Sequence, residues 1–186
     1  MTDLPSFRSR AKGILTSPAC NNIRFKLDNV QIRSFMFGYI GDAIARNRVH
    51  IKAEGFNGYD HESDTIFLVS PDVRPHELVH EATHAVIDAT NRGLVISKGP
   101  GEAAAYLAET VYSIVTQGEA NSLDVPHLTP PVASLARRLI EYNKDPRRTF
   151  TCPASDVTLI KAILGSSKLA GNMARMDTMN GITEPR

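Results

Sequence analysis

Hydrophobic positions along the chain follow two periods, and these divide it into elements. From Val30 to Asn47, the residues Ile32, Phe35, Met36, Tyr39, Ile40, Ala43 and Ile44 recur at helical spacing and predict an amphipathic helix. Arg48 to Ala53 alternates, with Val49, Ile51 and Ala53 on one side, and Thr65 to Val69 is a short apolar run; both predict strands. The stretch between them, Gly55 to Asp64, is rich in turn formers. Leu78, Val79, Ala82, Ala85, Val86 and Ala89 then return to the helical period. For this helix Ser70-Pro71-Asp72 offers a cap, Pro75 is tolerated in the first turn, and Asn91-Arg92-Gly93 supplies a stop. A further helix is expected from Glu102 to Gln117, opened by Gly99-Pro100-Gly101 and closed by Gly118. The small alanines predict close packing of one helix on another.

The flanks are less patterned. Residues 1–28 are mixed and expected to be irregular or peripheral. After Gly118 come a loop holding Pro126, His127, Pro130 and Pro131, helices near Val132 to Tyr142 and Ser155 to Leu164, a basic turn from Lys144 to Arg148 between them, and a polar tail over 166–186. No internal repeat, low-complexity tract or linker divides the chain, so a single domain over 1–186 is expected. Its class is α+β, mostly helical with a small β-sheet.

Composition changes this picture little. A chain of 186 residues, 42% hydrophobic and 22% charged, is long enough to bury one good core. The formal charge of +1, without a basic block or aromatic-rich basic stripe, argues against a nucleic-acid partner. No apolar run approaches membrane-helix length, and Met1 to Arg10 lacks an apolar signal core. The expected setting is therefore the cytoplasm and not a membrane, although export by a signal-independent machine would leave the same pattern. Cys20 and Cys152 lack metal-ligand spacing and are expected to be free thiols.

Candidate chemistry is concentrated in Arg74 to Asp88, where the HExxH pattern occurs in two overlapping registers, His76-Glu77-Leu78-Val79-His80 and His80-Glu81-Ala82-Thr83-His84. Histidines four apart on a helix lie about 40° apart around it and roughly 6 Å apart along it, so both imidazoles reach one metal ion. His76 and His84 are about 12 Å apart along the axis and cannot share an ion. The second register is preferred because its flanks are uncharged, as a helix buried beneath a site requires, whereas the first begins beside Pro75 and runs into Glu81. His76 is then expected to be a partly exposed polar residue, or a partner one turn up the same face.

Zinc held by two histidines needs a third protein ligand and an open position. Glu102, eighteen positions after His84, is the best candidate, and Glu102, Tyr106 and Glu109 fall on one helical face. Alternatively, Glu102 complements the helix dipole, and Glu109 is a substitute ligand, an outer carboxylate or a surface residue. Asp88 is placed either to accept from a ligand histidine or simply in solvent. Tyr106 and Tyr112 are candidate oxyanion donors or packing residues. His127 is a possible donor from its loop or solvated, and His50 and His61 are read the same way, with more interest in His61.

In these features the chain resembles the gluzincin branch of the zincin metallopeptidases, in which an HExxH helix is followed by a helix carrying a glutamate ligand. The resemblance covers roughly residues 64 to 118. His80, Glu81 and His84 match the motif, and Glu102 matches in spacing and helical context; no glycine breaks the first helix before Gly93, unlike the metzincin-like branch. The residues around Glu102, Gly-Glu-Ala-Ala-Ala-Tyr, lack the asparagine and aspartate neighbours of the thermolysin-like type. The resemblance implies a zincin-like fold whose small sheet borders the cleft and pairs with an extended substrate. It implies zinc on His80, His84 and Glu102, with Glu81 as general base, and hydrolysis of a peptide or protein substrate. Two other outcomes are compatible with the same residues: an inactive zincin-fold binding or regulatory module, and a selective protease that cleaves one repressor or one effector target.

Overall fold

The computed structural model describes residues 4–72, 74–118, 129–165 and 176–182. Among them are six α-helices and three small sheets, so the class is α+β with helix predominant. No helix of the described residues is long and apolar enough to cross a membrane.

The N-terminal segment corrects the expectation of an irregular periphery. Helix α1 (Leu4–Leu15) places Phe7, Ala11 and Leu15 four residues apart on one stripe, and all three are buried. That stripe packs on α2 (Phe35–Ala45). The two helices approach closely at Gly41, where an added Cβ would lie 3.4 Å from the Lys12 backbone and the Leu15 side chain. Between them, strands β1 (Phe25–Leu27) and β2 (Val30–Ile32) form an antiparallel hairpin that buries Phe25, Leu27, Val30 and Ile32 and turns Lys26 and Gln31 outward. The helix expected from Val30 therefore starts five residues later. Val30 and Ile32 fit a two-residue period as well as a helical one, and the strand ladder with Phe25–Leu27 decides between them.

The second sheet has the order β3-β5-β4, with β3 (His50–Ala53) parallel to β5 (Thr65–Leu68) and β4 (Gly58–Asp60) antiparallel to it. Strand β4 lies in the stretch expected to be only turns. Ala53, expected inward, is exposed, whereas Val49 and Ile51 are buried. The third strand of the first sheet, β7 (Phe150–Thr151), runs parallel to β1.

Helix α3 (Pro75–Thr90) carries the double motif, and α4 (Lys98–Gln117) follows it after the short strand β6 (Val95–Ser97). No side chain caps α3: the residue before it is Arg74, extended, and Pro75 opens the first turn. Gly93 adopts φ of 79°, the left-handed turn anticipated at the helix stop. Helices α3 and α4 pack closely on each other, and Ala82, Ala85, Ala103, Ala104 and Ala108 are wholly buried within them. Helix α4 begins four residues before the expected start, with Gly99-Pro100-Gly101 inside its first turn. Glu102 is thus the fifth residue of the helix, which weakens its reading as a dipole partner.

Helices α5 (Pro130–Tyr142) and α6 (Ala154–Gly165) cover the other side of α4. The tail expected over 166–186 contains a strand, β8 (Met176–Thr178), antiparallel to β6. Cys20 and Cys152 are buried free thiols, as expected, and burial pushes the first up to about 11 and the second to about 12.

Candidate metal centre

The regular backbone of α3 stacks His76, His80 and His84 one turn apart, and α4 packs against them. His80, His84 and Glu102 place one ligand atom each within 4.8 Å of one another, the arrangement needed to hold a metal ion. Their nearest approaches are 3.5 Å from His80 Nε2 to Glu102 Oε2 and 3.6 Å from His84 Nε2 to Glu102 Oε1. Glu102 therefore faces both imidazoles through their Nε2 atoms.

Behind the triad lies a second carboxylate. Glu109 Oε2 is 3.0 Å from His80 Nδ1, and both groups are buried. Glu109 is therefore not a surface residue: it stands on the Nδ1 side of His80, away from the position where Nε2 points. Its other oxygen is 3.8 Å from His76 Nε2. His76 itself is 2% exposed, and neither ring nitrogen has a hydrogen bond, so the expectation of a partly exposed polar residue is corrected. Helix α4 covers the face of α3 on which His76 lies, which periodicity along α3 alone does not reveal.

Burial and charge shape the site together. Burial works against charge on His80, but hydrogen bonds to Glu102 and Glu109 outweigh it and raise its pKa to about 10. Burial likewise opposes charge on Glu102, yet the His84 and His80 imidazoles hold its carboxyl down at about 2. Glu81 is buried beside the triad, and desolvation raises it to about 7. Tyr106 packs its ring edge-on against His80, with centroids 4.5 Å apart, and burial raises its pKa.

These groups line a cleft of about 370 Å³. One wall is α3, with Glu77, His80, Glu81, His84 and Ile87; another is the start of α4, with Lys98, Gly101, Glu102 and Tyr106. Asn57, Gly58 and Tyr59 of the β4 region and His61 border it too, as do Ile96 and Met179. His61 thus reaches the cleft, whereas His50 is exposed on β3 and Tyr112 is absent from the lining. His127 lies outside the described residues.

Asp88 does not meet a ligand histidine. Its Oδ2 accepts from the Tyr59 hydroxyl at 3.0 Å and its Oδ1 from the Gly181 N–H at 3.0 Å, and it is wholly buried. The Tyr59 oxygen also lies 3.1 Å from Asp64. Tyr59, Ile96, Lys98 and Met179 are cleft residues without a motif to signal them, although the turn-rich stretch that holds Tyr59 directly precedes the strand beside α3. No protein-family model matches the chain, and no curated protein and no solved structure matches it.

Proposed function

We propose that the chain is a zinc metallopeptidase of the zincin type, gluzincin branch, cleaving peptide bonds. The observation that carries this reading is the convergence of His80, His84 and Glu102 on one point of a cleft that Glu81 also lines. The donor set fits zinc. Ligand atoms roughly 2.0–2.1 Å from a tetrahedral ion are about 3.3–3.4 Å apart; His80 Nε2 is 3.5 Å from one Glu102 oxygen and His84 Nε2 is 3.6 Å from the other, with one atom from each residue within 4.8 Å of the rest. Two imidazoles and one carboxylate leave a fourth position for water or substrate, as catalytic sites require. The further hydrogen bond from His80 Nδ1 to a carboxylate is the usual outer support of a zinc-bound histidine.

His80, His84 and Glu102 would hold the ion, which when bound would supply a Lewis acid and lower the pKa of water to about 7. Glu81 accepts the proton of the attacking water and returns it to the leaving nitrogen. In the metal-free site burial raises its pKa to about 7. Tyr106 stays protonated because burial raises its pKa, and it is the candidate donor to the oxygen that gains charge. Strand β4 pairs with β5 on one side only among the described residues, and its neighbour Asn57 and its own Gly58 and Tyr59 border the cleft. An extended peptide added to that edge would lie along the site.

The test pairs metal content with turnover. About one zinc per chain is expected in the wild type and in Glu81→Gln, and strong loss in His84→Ala and Glu102→Ala. Cleavage of a mixed peptide library, read by mass spectrometry, should disappear in Glu81→Gln while its zinc remains. A Glu81→Gln protein that still cleaves overturns the role of Glu81; zinc without cleavage in any protein favours a metal-bearing binding module.

A further inference from the structure

The cleft changes character along α3. Glu77, His80, His84 and Ile87 follow one another at three- and four-residue steps and all border it. Glu77 and Ile87 are therefore about 15 Å apart along the axis, with the candidate ligands between them. Toward the Ile87 end the lining brings together Ile87, Ile96 and Met179, with Tyr59 and Lys98 also bordering the cleft. Ile87, Ile96 and Met179 are 3%, 4% and 8% exposed, so the little surface they keep is turned to the cleft.

Met179 comes from a distant part of the chain and is firmly held. Its N–H donates to the Leu94 carbonyl at 2.9 Å and its own carbonyl accepts from the Gly93 N–H at 2.7 Å. Before it, β8 pairs with β6 through Ser97–Met176, Ile96–Asp177 and Val95–Thr178. After it, the Gly181 N–H donates to the buried Asp88 carboxylate. Anchors on both sides fix the backbone, which leaves a flexible thioether side chain to conform to what enters.

From this placement we infer that Ile87, Ile96 and Met179 form a side-chain subsite that selects substrates with an aliphatic group beside the reacting amide, Met179 being its specificity determinant. The inference rests on the peptidase reading and names the substrate class for that site. Glu77 at the far end gives the cleft a direction, acidic to aliphatic. An aliphatic group placed among these three side chains gains by leaving water, whereas a carboxylate placed against them loses hydration there.

The experiment measures equilibrium binding of three hydroxamates to the zinc-loaded full chain by calorimetry. Acetohydroxamate reads the metal centre alone, 3-methylbutanohydroxamate adds a branched aliphatic group, and the hydroxamate of succinic acid adds a carboxylate. In the wild type the branched compound should bind about tenfold or more tightly than the carboxylate compound. Met179→Leu should keep that ratio, and Met179→Lys should abolish or reverse it, with acetohydroxamate unchanged in both. Because the readout is a ratio within each protein, a partly misfolded sample does not imitate the effect. An unchanged ratio in Met179→Lys, with all three compounds still bound, overturns the subsite and leaves the metal centre standing. Failure to load zinc, or to bind any hydroxamate, overturns the metallopeptidase reading and the subsite with it.

Discussion

His80 Nδ1 stands 3.0 Å from Glu109 Oε2, seven residues beyond Glu102 on the same helix, so one imidazole is held between two carboxylates about two turns apart on α4. When Nδ1 carries its proton and donates to Glu109, the lone pair is left on Nε2, the atom that faces Glu102 and His84. Glu109→Ala should therefore weaken zinc binding by about 10- to 100-fold without removing any ligand. Glu109→Gln should lose less, since its amide oxygen still accepts. Competition against a calibrated chelator measures both; equal affinities for wild type and Glu109→Ala would leave Glu109 as mere packing.

Protons compete with the metal for His80. Held at about 10 by its two carboxylates, His80 is protonated in the metal-free chain at neutral pH, and that proton must leave before Nε2 can coordinate. Glu102, held at about 2, is already ionised and contributes no proton. Zinc affinity should therefore rise roughly tenfold per pH unit between about pH 6 and 8 from His80 alone. In the metal-free fold the same shift acts in the other sense. Its stabilising contribution is complete below the ordinary histidine value of about 6.5 and is lost as pH rises through about 10. Calorimetry in buffers of different ionisation enthalpy counts the released proton; heats that do not depend on buffer would refute the proposed exchange.

His76 separates the two registers of the motif. Its imidazole is buried without a hydrogen bond, and its closest charged atom, Glu109 Oε1, is 3.8 Å away. An unsatisfied buried ring is costly, so an apolar replacement of similar size should cost little or even stabilise. His76→Leu is expected to keep about one zinc per chain and to melt within a few degrees of the wild type. Loss of the metal in this variant would restore the first register, with His76 and His80 as ligands.

The local helical code was legible and the long-range code was not. His80, Glu81 and His84 follow from four-residue spacing on one helix, and Glu102 from the helix that comes next; both depend on neighbours in sequence. Glu109 was identifiable only as one of several kinds of carboxylate, because its role depends on the depth at which α4 crosses α3. Tyr59, Ile96 and Met179 carry no pattern. They reach the cleft through the β4 edge and the β6–β8 pairing, the latter a contact between distant parts of the chain such as Val95 and Thr178, which periodicity does not encode. The N-terminal segment was misread for a related reason. Phe7, Ala11 and Leu15 make a stripe of only three apolar positions, too thin to read against Arg8, Arg10 and Lys12 until α2 is placed beside it.

Tyr59 joins two buried carboxylates, and its single hydroxyl proton serves only one of them at a time. Burial raises the Asp88 pKa, with the Gly181 N–H and the Tyr59 hydroxyl pulling the other way. A carboxyl whose folded value is raised destabilises the fold once it is ionised, so this cost appears as pH rises through that value. Tyr59→Phe removes one of the bonds that favour the ionised form of Asp88, at a cost of about 1–3 kcal/mol. The loss should be larger at about pH 7 than at a pH below the raised Asp88 value, where a protonated Asp88 no longer needs the donor. Urea denaturation of the two proteins at both pH values gives the comparison. Zinc affinity should not change, since neither aspartate touches a candidate ligand. A deficit that is the same at both pH values would mean that the hydroxyl acts through packing alone and that Asp88 is not the group it supports.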